Sequence, residues 1–176
     1  LGFLSVVIAV GVSMLCGLLI GLCHVYLKIP SFMASFAFMY ICKGIGMVSY
    51  QGHPPTIKDP VITALPTTTF LGIPFITWVA IVMFMLCFFI QEYTAFGRHI
   101  YAVGTNENIP RSVGVSVEKV KIGVFTLAGF LFGVAGVIGA IRLGQGQIAI
   151  GDDKMFPAQA AVVVGGTSLA GGKGGV

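Results

Sequence analysis

The chain begins with LGFLSVVIAVGVSMLCGLLIGLCHVYL, residues 1–27, a run without any aspartate, glutamate, lysine or arginine. A helix rises about 1.5 Å per residue, so a run of this length crosses a hydrocarbon layer about 30 Å thick. It predicts a membrane-spanning helix over residues 2–27. The 176 residues as a whole are 56% hydrophobic and 9% charged, whereas soluble domains carry about 25% charged residues. This composition argues against an ordinary soluble fold.

Three further apolar runs have the length of a membrane span, over residues 31–50, 73–91 and 122–141. A last apolar piece, residues 156–170, is too short to cross comfortably and is predicted to be a half-helix that enters from one side. Lys43 is the one charged residue inside the four long runs. It lies about 10 Å from the end of its helix, near enough for its side chain to extend to the membrane surface, and a role in a transport pathway stays open.

The segments between these runs are polar. Residues 51–72 are rich in proline, threonine and glycine, and residues 92–121 are the most charged part of the chain, so both are predicted to lie in water. Alternating spans place Lys28, the 92–121 loop and Lys173 on one side of the membrane. That side holds six lysines and arginines against three on the other, which predicts that the 92–121 loop is cytoplasmic.

Small residues recur along the runs at a spacing that lets helix backbones approach closely. They are Gly17 and Gly21, then Gly129 and Gly133 continued by Gly136 and Ala140, and finally Ala161 and Gly165. This spacing favours a compact bundle of helices. The alternative is that glycine is simply common in membrane helices.

The charged loop contains signals for a short surface helix. Residues 105–108 offer N-cap side chains, Pro110 suits a first helical turn, and Gly114 can end the helix in the left-handed conformation. A polar helix between two spans can act as a lever on which a soluble partner pulls. The alternative is a solvated connector.

The short segment 156–170 is the better candidate for a solute pathway, because a helix end or break within the membrane exposes polar backbone groups. The candidate pathway residues are Gln159, Gly165, Gly166, Thr167 and Ser168.

No motif for chemistry is present in the sequence. The glycine-rich stretch near Lys173 lacks the spacing of a phosphate-binding loop, and the three histidines and four cysteines are scattered without ligand or disulfide spacing. Adjacent acids such as Asp152 and Asp153 are more typical of solvated caps than of acid and base catalysts. We therefore predict a protein that is not an enzyme, with no catalytic, cofactor-binding or metal residues.

Two stretches carry a specific resemblance. GRHIYAVGTNE (residues 97–107), followed by Gly114, and AAVVVGGTSLAGGKG (residues 160–174) closely resemble the permease subunit of bacterial ATP-binding-cassette (ABC) importers for ribose and related monosaccharides. These permeases belong to the branched-chain amino acid and sugar permease superfamily. The likeness covers nearly the whole chain, which looks like an internal fragment, the middle portion of such a permease.

The resemblance implies an all-α, polytopic membrane protein with the bundle of a type II ABC importer, located in the bacterial cytoplasmic membrane. The implied partners are a cytoplasmic ABC ATPase, which would hold the ATP and magnesium, an extracytoplasmic sugar-binding protein, a second permease copy in a homodimer, and membrane lipid, with no nucleic acid. This chain itself would hold no cofactor. The residues matching the ATPase-coupling segment of the family are Glu107, Asn108, Arg111 and Gly114.

Two expectations are weaker. On the opposite side of the membrane, the charged residues Arg142, Asp152 and Asp153 are predicted to meet the binding protein. The alternative to an ABC importer is an ion-coupled secondary transporter of a small polar solute, which should carry an acid within a span. No aspartate or glutamate lies inside the predicted spans. Ribose, other monosaccharides, polyols and nucleosides all stay open as solutes.

Overall fold

The protein is built almost entirely of helices. A computed structural model describes residues 2–50, 54–57, 59–66, 68–70 and 72–167. In chain order the elements are α1 (Gly2–Tyr26), α2 (Ser31–Tyr50), α3 (Pro60–Ala64), β1 (Thr69–Phe70), β2 (Ile73–Pro74), α4 (Phe75–Tyr93), α5 (Ala95–Thr105), α6 (Asn108–Ser112), α7 (Val117–Leu143), a 3-10 turn (Asp152–Lys154) and α8 (Met155–Val164). The two short strands form an antiparallel hairpin in which Thr69 faces Pro74.

Four helices, α1, α2, α4 and α7, are long and apolar enough to cross a membrane. The shortest of them, α4, has 19 residues and therefore measures about 28 Å, close to the thickness of the hydrocarbon layer. The predicted all-α, polytopic fold class is confirmed.

The helix boundaries differ from the apolar runs in a consistent way. The predicted span 122–141 is the middle of α7, which begins at Val117 and ends at Leu143. The charged side chains in the first turn of α7 lie outside the apolar run. Hydrophobic composition therefore identifies only the part of the helix that would face lipid. The span predicted from residue 73 begins at Phe75, after the β-hairpin. Residues 51–53 and 168–176, and with them Ser168, lie outside the part of the chain that the structure describes.

Helices α1 and α7 pack with their backbones in contact. A Cβ built on Gly129 would lie 2.7 Å from Ser13 O and 3.0 Å from the Cα of Gly17, and one built on Gly133 would lie 3.1 Å from the Cα of Val10. The hydroxyl of Ser13 donates a hydrogen bond of 2.8 Å to Gly129 O across the same contact. The predicted glycine face is therefore a helix-packing face, as is typical of membrane bundles. At Gly136, further along the same helix, a Cβ would meet no described atom within 4 Å.

A small apolar core lies at the end of α7 that carries the charged first turn. Val103 of α5 and Val117 and Val120 of α7 are buried, with Phe96, Ile100 and Val115 packed against them. Helix α5 can lie against α7 because Phe96 occupies the space that a side chain would need at Gly123. Thr94 caps α5 by accepting a hydrogen bond of 3.2 Å from the amide of Gly97.

The loops gather at two opposite faces. Lys28, in the turn between α1 and α2, lines one cleft together with residues of α6 and the start of α7. We call this the basic face. At the other face, Thr56 pairs with Gln145, and the amide of Ile57 donates to Gly144 O at 2.9 Å. This grouping agrees with the alternation of spans expected from the sequence.

Candidate functional site

The charged loop contains two helices, whereas the sequence predicted one. Helix α5 has 11 residues and ends at Thr105, whose hydroxyl donates back to Tyr101 O. Helix α6 follows after Asn106, whose side-chain oxygen accepts a hydrogen bond of 3.0 Å from the amide of Asn108. Gly114, with a φ of +82°, occupies the left-handed conformation expected after the helix. Within the predicted 105–108 stretch, the side chain of Asn106 thus satisfies the first amide of the short helix.

Two ion pairs join α6 to the first turns of α7. Glu107 Oε1 lies 2.6 Å from Lys121 Nζ, and Arg111 Nη2 lies 2.7 Å from Glu118 Oε1. Exposed ion pairs each contribute only about 0 to 1 kcal/mol. Because the two pairs are separated along α6, they fix its direction as well as its position. Pro110 on the same short helix is buried. Helix α6 is therefore attached to α7 and not free in solution.

The ionisation of Glu107 fits this attachment. The hydrogen bond from Lys121 lowers the pKa of Glu107 below its ordinary value of 4.5, the charges of Lys121, Arg111 and His24 act in the same direction, and slight burial opposes them. A carboxyl group with a lowered pKa stabilises the folded state above pH 4.5, and this contribution is lost as the pH falls through the folded-state pKa. The Glu107 ion pair is thus complete at neutral pH.

An open cleft of about 500 Å³ lies beside these pairs on the basic face. Its polar lining comes from the end of α1, the following turn, α6 and α7, and comprises His24, Lys28, Glu107, Arg111, Glu118 and Lys121. The turn is held by a hydrogen bond of 2.8 Å between His24 Nδ1 and Ile29 O. A cleft with both signs of charge on its rim is suited to a polar protein surface.

The coupling residues predicted from the sequence are brought together in this region. Glu107 and Arg111 line the cleft, Asn108 begins α6, and Gly114 turns the chain toward α7. Their partners Glu118 and Lys121 were missed, because the sequence alone does not show which charges of a polar loop face one another. The lysine lies 14 residues from Glu107.

Four of the five predicted pathway residues, Gln159, Gly165, Gly166 and Thr167, lie on or just after α8, and Ser168 lies outside the described residues. This helix has 10 residues, or about 15 Å, half the thickness of the hydrocarbon layer. It stops at Gly165 and Gly166, and the amides of Gly166 and Thr167 donate to Val163 O and Val162 O. These two bonds, with a φ of +87° at Gly166, form a Schellman motif. Gln159 is exposed on the helix, and the described structure brings it near none of the charged residues above.

The three docking candidates on the opposite face have different surroundings. Arg142 is exposed in the last turn of α7. Asp153 pairs with its neighbour Lys154, and that hydrogen bond lowers the pKa of Asp153. Asp152 instead points to α2, where its Oδ2 accepts a hydrogen bond of 2.8 Å from Lys43 Nζ. Lys43 thus does extend toward the membrane surface, and it meets a carboxylate that the sequence did not indicate.

Metal-binding side chains are not assembled in the described part of the chain. Residues 2–167, apart from the gaps given above, contain no group of three or more histidine, cysteine, aspartate or glutamate side chains that could hold a metal ion. The described structure instead has three distinctive features: two ion pairs between α6 and α7, close backbone packing of α1 on α7 at glycines, and the short helix α8.

Comparison with known proteins accounts for this combination. The family described as the permease component of the branched-chain amino acid transport system matches residues 1–173. The chain belongs to this permease family. The predicted resemblance to sugar permeases of ABC transporters is confirmed, as is its location as a multi-pass protein of the bacterial cytoplasmic membrane.

Individual relatives of the permease are transport proteins. It is 38% identical over 147 residues to a probable ABC transporter permease protein of Escherichia coli, covering 84% of this chain and 44% of the relative. It is 39% identical over 151 residues to the ribose import permease protein of Haemophilus influenzae, covering 84% and 47%. A xylose transport system permease protein of the same organism is 44% identical over 105 residues, covering 60% and 28%.

The permease chain spans a little under half the length of the first two of these relatives. No solved structure matches it.

Proposed function

We propose that this chain is part of the transmembrane subunit of an ABC importer that moves a monosaccharide across the bacterial cytoplasmic membrane. A separate cytoplasmic ATPase, holding ATP and magnesium, would supply the energy, and an extracytoplasmic binding protein would deliver the sugar. Family membership and the named ribose and xylose permeases among its relatives support this proposal. The chain itself would perform no chemistry and hold no cofactor.

The observation that carries the proposal is the attachment of α6 to a spanning helix. A partner that moves α6 pulls on Glu118 and Lys121 of α7 through Arg111 and Glu107. Helix α7 is in backbone contact with α1 at Gly17 and Gly129. Because closely packed helices transmit displacement and do not absorb it, a movement on the basic face would be passed to two membrane-spanning helices.

The exposed apolar surfaces of the permease fit a larger assembly. Within the described residues α4 has no buried side chain, and Phe156 and Val162–Val164 of α8 are exposed. In the membrane such surfaces are covered by lipid or by other helices. We propose that a second permease copy, together with lipid, covers part of them.

The half-helix α8 supports the proposed route for the solute. If α8 ends about halfway through the bilayer, the chain leaves the helical conformation at Gly165–Thr167 at membrane depth, and non-helical backbone there is tolerated only beside protein or a wet cavity. We propose that Gln159, Gly165, Gly166, Thr167 and Ser168 line this cavity. The hydroxyl-rich surface of a monosaccharide would exchange hydrogen bonds with these groups as it passes.

Uptake measurements test the proposal directly. The full-length permease, its ATPase and its binding protein are expressed together in cells that lack other pentose importers, and uptake of radiolabelled ribose and xylose is followed. We expect uptake of at least one sugar to require all three proteins and to stop when the ATPase can no longer hydrolyse ATP. Sugar uptake that continues without the ATPase and is abolished by a protonophore would instead favour the ion-coupled alternative.

A further inference from the structure

The segment after α7 folds back into the bundle on the face opposite the basic face. We call residues 145–150 the cap segment. The side chain of Ile148 packs toward α2, since a Cβ built on Gly46 would lie 3.3 Å from Ile148 Cγ1. The side chain of Ile150 packs toward α7, since a Cβ on Gly139 would lie 2.7 Å from Ile150 Cγ2. Gly46 lies four residues before Tyr50, the end of α2, and Gly139 four residues before Leu143, the end of α7. The cap segment therefore packs against the last turns of both helices.

The two ends of the cap segment are held differently. Near Gln145 the chain is paired through its backbone: the amide of Gly146 donates to Pro55 O at 2.9 Å, and that of Ile57 donates to Gly144 O at 2.9 Å. Beyond Ile150 the attachment is the side-chain ion pair between Asp152 and Lys43, at 2.8 Å. Backbone pairing holds one end, whereas the attachments described at the other end are side-chain contacts, namely the packing of Ile150 on α7 and the Lys43–Asp152 ion pair.

Glycines at both ends permit movement of the segment. Gly144 has a φ of +68° and Gly151 a φ of +97°, a region that other residues rarely adopt. Glycine at these positions can also change conformation at little cost, because it lacks a Cβ. The cap segment is therefore bounded by two points at which the chain can turn.

The ion pair is placed to respond to its surroundings. Lys43 is seven residues from the end of α2, or about 10 Å into the helix, and its side chain is 29% exposed against 52% for Asp152. The ring of Tyr40 lies 6.0 Å from Lys43 Nζ, close enough for a weak cation and ring attraction. A half-buried pair of this kind is stronger than one in open water and still accessible to competition by solvent.

We propose that the Lys43–Asp152 ion pair is a latch that holds the cap segment between α2 and α7, and that the cap lifts when the pair opens. Asp152 begins the 3-10 turn that leads directly into α8, so opening the latch also releases the start of the half-helix. The role of this movement in transport rests on the proposed function; the latch itself does not.

Cysteine labelling tests the latch without any transport assay. In the full-length permease every native cysteine is replaced by alanine, Ile148 is replaced by cysteine, and the protein is embedded in nanodiscs that leave both faces in contact with solvent. We expect Asp152→Asn and Lys43→Met each to raise the rate of labelling by a polar maleimide about fivefold, as for loss of an ion pair worth roughly 1 kcal/mol. The double variant should match the single ones, because both remove the same interaction.

The matched control is Asp153→Asn, which removes the adjacent carboxylate that pairs with Lys154 and not with α2. Its labelling rate should stay within about twofold of the parent. An unchanged rate in either single latch variant, multiplied effects in the double variant, or an equal increase with Asp153→Asn would overturn the latch.

A second arm tests the role in transport. With the ATPase, binding protein, ribose and ATP added, labelling of the cysteine at position 148 should rise above its resting rate. If the labelling rate of the cysteine at position 148 changes in the latch variants but not on addition of the ATPase, binding protein, ribose and ATP, the cap segment has no role in transport. If no sugar is imported at all, the proposed function fails while the nanodisc result on the latch still stands.

Discussion

The substitution Gly129→Leu is expected to lower the amount of folded permease in the membrane about tenfold, because the new side chain would separate two helices that touch through their backbones. Even a Cβ at this position would lie 2.7 Å from Ser13 O, and a backbone atom cannot move aside as a flexible side chain can. The substitution would also break the hydrogen bond from Ser13 to Gly129 O. The measurement is the height of the monodisperse peak in size-exclusion chromatography of the full-length protein carrying a fluorescent tag.

Gly136→Leu provides the control on the same helix. It makes the same change in volume and helix propensity, seven residues further along, where a Cβ meets no described atom within 4 Å. We expect a peak within about twofold of the wild type. Equal losses for the two variants would mean that leucine harms α7 at any position, and the α1–α7 contact would lose its assigned importance.

The substitution Glu107→Lys is expected to reduce sugar uptake at least about tenfold while the ATPase continues to hydrolyse ATP. The new ammonium group would face Lys121 in place of the carboxylate now 2.6 Å away, so α6 would be repelled from α7 at one of its two attachments. Force applied to α6 would then no longer reach α7. Uptake and ATP hydrolysis are measured in parallel in proteoliposomes that contain the complete importer.

The reciprocal exchange separates the ion pair from other effects of the charge. Combining Glu107→Lys with Lys121→Glu restores an opposite pair and should recover most of the uptake. Glu92→Lys, at the exposed end of α4, makes the same change of charge and should leave uptake within about twofold of the wild type. Full uptake in the Glu107→Lys variant would exclude this pair from coupling, and failure of the double exchange would assign Glu107 to direct contact with the ATPase.

The membrane-spanning architecture could be predicted because lipid imposes simple rules on composition. An uncharged run of about 20 residues has few alternatives to a spanning helix. That Gly17 and Gly129 lie on helix-packing faces could be predicted for a similar reason, since small residues at this spacing permit close approach. That α1 and α7 are the packed pair could not, because small-residue spacing does not say which helices meet or how each is rotated about its axis.

Helix α5 was missed although its signal is present. Phe96, Ile100 and Val103 lie at the i, i+4 and i+7 spacing of one helix face, and Thr94 precedes them as an N-cap. The charges and glycines around them suggested an aqueous loop, and the segment does lie among loops. Its apolar face is buried against Val117 and Val120 of α7, a contact that composition cannot show.

The Lys43–Asp152 pair could not have been predicted from the chain alone. Its members are 109 residues apart, and neither helix periodicity nor turn chemistry relates them. Each residue has a local interpretation of its own. Lys43 lies close enough to the end of α2 for its side chain to reach the membrane surface, and Asp152 is typical of a solvated cap. The tertiary structure brings the two side chains together, and they form one ion pair that can act as the proposed latch.

The coupling proposed for Glu107 requires that residues 92–121 face the cytoplasm. Their orientation is measured by labelling intact cells with a membrane-impermeant maleimide, using full-length permease without native cysteines and with a single cysteine at position 107 or 153. We expect the cysteine at 153 to react from outside and the one at 107 to react only after the membrane is permeabilised. Labelling of position 107 in intact cells, with position 153 protected, would contradict this orientation.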